Sequence, residues 1–183
     1  TEYNGAKDIN ITLTRPFAKL RVVTTDIKEL DDLHIAPGYA TVEYTTEYRP
    51  AFNALAGTAV AAGTDKKAHS TVFPIAPYTN EANDEHNRTI FTDYFFANEG
   101  DAVSFILNVY EDEAKTKPIK SNNFNTDIAV NRNYLTTISG NILTDGNKVN
   151  VTIEDAFENV DDNGNTTNPD YDYETISSVS EFY

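Results

Sequence analysis

Three histidines, His34, His69 and His86, are the first residues to weigh for chemistry, because imidazole is both the commonest metal ligand and a general base near neutral pH. No two stand at metal-ligand spacing. Their settings, a helix-to-strand connection, a strand start and a polar loop, predict that they lie far apart in the fold. Ser70 directly follows His69, so on a strand the two side chains point to opposite faces and do not form a nucleophile and its base. The run Glu111-Asp112-Glu113 falls at a strand end, where a solvated turn explains it better than a glycosidase carboxylate pair. The stretch from Asp161 to Thr167 offers oxygen ligands at alternate positions, as calcium loops do. Gly164 comes too early for an EF-hand, however, and no Glu closes the loop, so the stretch reads as polar tail. Asn-x-Thr sequons begin at Asn10, Asn87, Asn150 and Asn165 and read as polar strand and loop residues. There is no Gly-rich phosphate loop, nucleophile elbow or HExxH motif. The sequence reads as non-enzymatic: no catalytic, cofactor-binding or metal residue is assigned, and no cofactor is expected.

Composition narrows the remaining classes. The 183 residues suffice for one domain with a sound core. Lys and Arg number 14 against 29 Asp and Glu, a formal charge of −15 that repels nucleic-acid phosphate and anionic membrane surfaces. Nucleic acid is therefore not an expected partner. Cys, Met and Trp are absent, which excludes a disulfide scaffold, thiolate metal sites and cysteine nucleophiles together. No apolar run approaches the ~18 residues that span a bilayer, so no transmembrane segment is expected. The first residues lack a basic start followed by an apolar stretch, as in a mature or shortened chain.

The positioning elements are strands. Ile9, Ile11 and Leu13 alternate with polar residues, and the pattern resumes from Phe17 to Val23 after Pro16, whose missing amide hydrogen predicts an edge or a sheet switch. Asp26 and Glu29 resemble a capping box ahead of a short helix that would bury Ile27, Leu30 and Leu33. After Pro37-Gly38 a strand runs from Tyr39 to about Glu47. Pro50 to Ala56, stopped by Gly57, reads as one helical turn carrying Phe52 and Leu55 inward, with residues 58–68 as loop. A short strand follows from Ser70 to Ile75. Arg88–Ala97 and Ala102–Glu111 are strong strands, and Asn98-Glu99-Gly100-Asp101 between them predicts a hairpin. A weaker strand near Phe124–Val130 precedes a long one at Tyr134–Leu143, and Asp145-Gly146-Asn147 then turns into Val149, Val151 and Ile153. Phe17, Leu20, Val22, Phe105, Leu107, Val109, Leu135, Ile138 and Ile142 are the expected core.

Two segments far apart carry more specific information. Leu13-Thr14-Arg15-Pro16-Phe17-Ala18-Lys19-Leu20 and Asn131-Arg132-Asn133-Tyr134-Leu135-Thr136-Thr137-Ile138-Ser139-Gly140-Asn141-Ile142-Leu143 both alternate as strands, and each holds one residue that breaks the strand rule, Pro16 and Gly140. The pair closely resembles the opening and closing strands of the second domain of fimbrillins, the type V pilins and related surface lipoproteins of Bacteroidales. That resemblance sharpens an antiparallel sandwich of about seven short strands, with one or two short helices, to an all-β, Greek-key, transthyretin-like one. The resemblance also implies a lipoprotein signal and an N-terminal β-domain upstream. By composition, the sequence turns polar from Glu158 on, which sets the domain at residues 1–157 and a polar C-terminal tail at 158–183.

The function expected from the resemblance is that of a structural subunit of an extracellular, outer-membrane-derived fimbria, secreted to the bacterial cell surface and supporting adhesion. Its partners would be copies of itself or related pilins. Assembly would proceed by donor strand exchange: a protease, commonly arginine-specific, removes an N-terminal strand and a neighbour's C-terminal extension fills the groove. Tyr171, Tyr173, Ile176, Val179, Phe182 and Tyr183 are the donor-strand candidates, an otherwise polar tail's only means of adhering to another surface. The alternative is a carbohydrate-binding or host-adhesion module that meets surface glycans or proteins through exposed tyrosines.

Overall fold

The alternating segments resolve into strands divided between two sheets. A computed structural model describes residues 15–46, 49–61, 70–75, 87–144, 149–154, 159–160 and 166–167. In chain order the elements are β1 (Phe17–Thr24), α1 (Ile27–Asp32), β2 (Tyr39–Tyr44), β3 (Ala51–Asn53), β4 (Thr58–Val60) and β5 (Phe73–Pro74), then β6 (Arg88–Phe96), β7 (Ala102–Tyr110), β8 (Pro118–Ala129), β9 (Leu135–Gly140), β10 (Val149–Glu154), β11 (Asn159–Val160) and β12 (Thr166–Thr167). One four-stranded sheet has the order β10-β9-β1-β6 and the other β5-β2-β7-β8, while β3-β4 and β11-β12 form separate two-stranded pairs. The chain crosses between the large sheets after β1, β5, β6 and β8, giving the expected all-β, Greek-key sandwich. Pairing is antiparallel except between β1 and β9, which run parallel with Lys19 opposite Leu135 and Val22 opposite Ile138. The two signature segments are thus neighbours in the middle of one sheet.

The core lies between the sheets. Leu20, Val22 and Ile138 face Val42, Phe105, Leu107 and Val109 in one buried cluster. Phe105 centres it, meeting Phe91 edge-on at 5.6 Å and Phe124 at 4.8 Å between ring centroids. Of the expected core, Leu135 and Ile142 are buried as well, and Phe17 alone is only half-buried.

Several local expectations are corrected. β6 and β7 form no hairpin, because they belong to opposite sheets. The turn is tight, with Asp101 Oδ2 accepting from Asn98 N at 2.8 Å and Gly100 at φ +80°, but each strand has an apolar face that the other helps to bury, so the connection arches across the core. β1 is interior rather than an edge. Pro16 precedes its first residue, where no ladder donor is needed. Residues 51–60 are a hairpin, not a helical turn: Asn53 Oδ1 accepts from the amides of Leu55 and Ala56, Gly57 turns at φ +68°, and Leu55 is fully exposed. Leu33 lies past the end of α1 and is exposed, whereas Ile27 and Leu30 are buried.

Asp26 precedes α1 without capping it. Its buried carboxylate instead accepts from the Thr24 hydroxyl, from Leu143 N at 2.9 Å, and from Thr144 N and Oγ1 at 2.7 and 2.8 Å. One side chain thereby ties the β1–α1 junction to the turn after β9, satisfying backbone donors that burial would otherwise leave without partners.

Candidate functional site

Two features stand out beyond the core: a pocket at the β6 edge of the sandwich and an open strand at the opposite edge. The pocket, of about 360 Å³, lies between the end of β2, the end of β6 and the start of β7, with Phe17, Tyr94, Phe95 and Phe96 among its walls. Its polar groups are Asp93, Tyr44, Thr46 and the pair Arg49 and Asp101. The register that sets Leu20 opposite Asp93 turns this carboxyl inward, in phase with Phe91 and Phe95. Asp93 Oδ2 accepts from the Tyr44 hydroxyl at 2.6 Å and Oδ1 from Tyr94 N at 2.8 Å. Arg49 grips Asp101 through two bonds, Nε to Oδ2 at 2.6 Å and Nη2 to Oδ1 at 2.8 Å, which satisfies both charges.

The electrostatics follow from burial. Protein surrounds Asp93 on most sides, yet the carboxyl keeps a surface on the pocket and is only half-buried by area. Desolvation raises its pKa from the ordinary Asp value, and the hydrogen bonds from Tyr44 and Tyr94 pull it partly back. Tyr44, deeper in the core, is pushed well above the ordinary phenol value by burial first and by the neighbouring Asp93 second. The pocket therefore presents hydrogen-bond acceptors and aromatic faces.

At the other edge, β10 pairs with β9 on one side, and among the described residues nothing pairs with its outer side. Val149, Val151 and Ile153 stand opposite Gly140, Ile138 and Thr136, so they take the inward phase of the sheet. Val149 packs on the core, but Val151 and Ile153 remain 47% and 43% exposed. Below them the seam is latched by Lys120 Nζ to Thr144 O at 3.1 Å and Asn122 Nδ2 to Ile142 O at 2.7 Å.

The residues singled out in sequence take ordinary positions where they are described. His34 is exposed just after α1 at φ +59°, its Nδ1 3.2 Å from Asp31 O. His69, His86, the stretch 161–165 and the donor candidates Tyr171 to Tyr183 lie outside the described residues. Ser70 bonds β2 in both senses, accepting from Val42 N and donating its own amide to Val42 O, each at 2.8 Å. Asp112 closes the turn between β7 and β8: it accepts from Thr116 Oγ1 at 2.7 Å, which leads the lowering of its pKa, and from Lys117 N at 2.8 Å. Among the described residues, no three His, Asp or Glu side chains gather to hold a metal ion, and no helix is long and apolar enough to cross a membrane. Sequence reasoning missed the pocket. Its one visible signal is Asp93, a carboxylate at an inward position between Phe91 and Phe95.

Comparison with known proteins places the chain in a family. A family model matches residues 1–174. The chain belongs to DUF6562, a family of unknown function. The matched span takes in every strand of both sheets, the aromatic pocket and the open β10 edge, so all three lie within what defines this family in the chain. No curated protein matches the chain.

Proposed function

We propose that the chain is a non-enzymatic structural subunit of a bacterial surface fimbria, assembling by strand exchange with neighbouring subunits and supporting adhesion. The observation that carries this reading is the edge of β10, where a backbone ladder unpaired among the described residues runs beside two inward-phase, exposed apolar side chains, Val151 and Ile153. A monomer that has no use for such an edge blunts it with charge, proline or a cover. An added strand gains a ladder of backbone bonds, and its alternate side chains find an apolar strip already in register. The donor in this reading is the segment Tyr171–Tyr183 of a neighbouring copy, with Tyr171, Tyr173, Val179 and Tyr183 at same-face spacing. The resemblance of the β1 and β9 segments to fimbrillin strands supports the same conclusion, as does their pairing side by side.

The test is to replace the strip with charge. The double variant Val151→Lys and Ile153→Lys should stay folded, since both side chains already reach solvent, and should remain monomeric in sedimentation while the unaltered chain forms higher assemblies. Equal assembly by both proteins would remove the support that β10 gives. The alternative, a glycan-binding or host-adhesion module, draws only on the aromatic walls of the pocket.

A further inference from the structure

Asp93 is a carboxylate that faces the cavity. Among the described residues no lysine or arginine pairs with it, and its two protein bonds come from a neutral phenol and a backbone amide. A carboxylate has about four lone-pair positions, so two bonds leave it capacity toward the pocket. Phe95 stands on the same face of β6 as Asp93, and Phe17, Tyr94 and Phe96 also line the pocket. We propose that this pocket binds an organic cation, a primary ammonium or guanidinium group, which pairs with Asp93 and rests against the aromatic walls.

The chemistry favours a cation over a sugar. A saccharide hydroxyl needs donors as well as acceptors, and two of the pocket's donors are committed to its own carboxylates: the Tyr44 hydroxyl points at Asp93, and the Arg49 guanidinium holds Asp101 with two bonds. Arg49 and Asp101 cancel each other's charge, which leaves Asp93 to set the sign of the site. A cation restores to the desolvated carboxylate the partner that burial makes necessary, and cation–π attraction strengthens where water is excluded. The cavity of about 360 Å³ has room for a group the size of a lysine or arginine side chain. The chain's charge of −15 also draws cations toward it. The proposal stands independently of assembly at β10, which lies at the opposite edge of its sheet.

The experiment is an amide-resolved NMR titration of the full chain with n-butylammonium and methylguanidinium, with n-butanol and glucose as neutral controls. The expected result is saturable shifts at Tyr94, Phe95 and Arg49 for the cations, with a dissociation constant in about the millimolar range, and none for the controls. Asp93→Asn should weaken cation binding by about tenfold or more while the spectrum stays that of the folded protein. Phe95→Leu, which leaves the carboxyl in place but removes a ring, should weaken it by a smaller factor and serves if the Asn variant does not fold. Blocked lysine and arginine peptides separate the sources: tighter binding than by the bare amines indicates a side chain of a partner protein, and equal binding a free amine. Absence of saturable shifts, equal shifts from n-butanol or glucose, or unchanged affinity in both variants would overturn the proposal.

Discussion

Tyr44 donates a 2.6 Å hydrogen bond to Asp93, joining β2 of one sheet to β6 of the other inside the aromatic end of the sandwich. Tyr44 also touches the rings of Phe95 and Phe105, at 6.0 and 5.8 Å, so the bond is held by packing on both sides.

That environment fixes the sign of a pH effect. Burial raises the Asp93 pKa above 3.8, so the folded protein keeps this proton at a pH where the unfolded chain has lost it. The stability this carboxyl contributes is present below pH 3.8 and is lost as pH rises through its folded pKa. Urea unfolding at a series of pH values should show the wild type losing stability relative to Asp93→Asn across that window, with a constant difference above it. A relative stability that climbs with pH would contradict the assignment.

Leu107 is fully buried at the centre of β7. Truncation to Ala should cost roughly 2 to 5 kcal/mol, the lost transfer energy plus the cavity. Chemical denaturation measures it, and a neutral effect would mean that the strand phase is wrong.

Asp26→Ala removes the acceptor for two backbone amides and two hydroxyls. Buried donors left without partners cost about 1 to 3 kcal/mol each, so the loss should exceed 2 kcal/mol by roughly that reasoning. Asp32→Ala is the control: its pair with Lys28 is exposed on both sides, and the change should stay within about 0.5 kcal/mol. Similar effects from the two substitutions would show that Asp26 is no staple.

Gly38 has no room for a side chain, since an added Cβ would fall 2.7 Å from Glu111 O, a backbone atom that β2–β7 pairing holds in place. Gly38→Ala should destabilise by roughly 1 to 3 kcal/mol through overpacking, read as a fall in the urea midpoint. An unchanged midpoint would mean that the strand pair yields.

The strands and their phases were legible because half-buried strands write their burial into every second residue: Leu20 and Val22, Val103 to Val109, and Ile138 all fall on the expected face. What was not legible depended on partners outside the local window. The Asn98–Asp101 turn has the same composition whether it closes a hairpin or arches between sheets. Only the location of the second apolar face decides, and β6 and β7 bury theirs against each other's sheets. Phe52 and Leu55 have helical spacing, yet the side chain of Asn53 takes the local amides and bends the chain into a hairpin. Asp26 looked like a helix cap because Glu29 follows at the right distance, but a loop more than a hundred residues away offered it more donors. The pocket needed β2, β6 and β7 brought together, and no single stretch of sequence encodes that.

The central claim, that the chain is a polymerising subunit, meets its most direct test in electron microscopy of the full chain beside a version lacking residues 170–183. The account predicts filaments from the full chain and folded, monodisperse particles from the shortened one. Monodisperse particles from both, or filaments that form equally well without those residues, would contradict it.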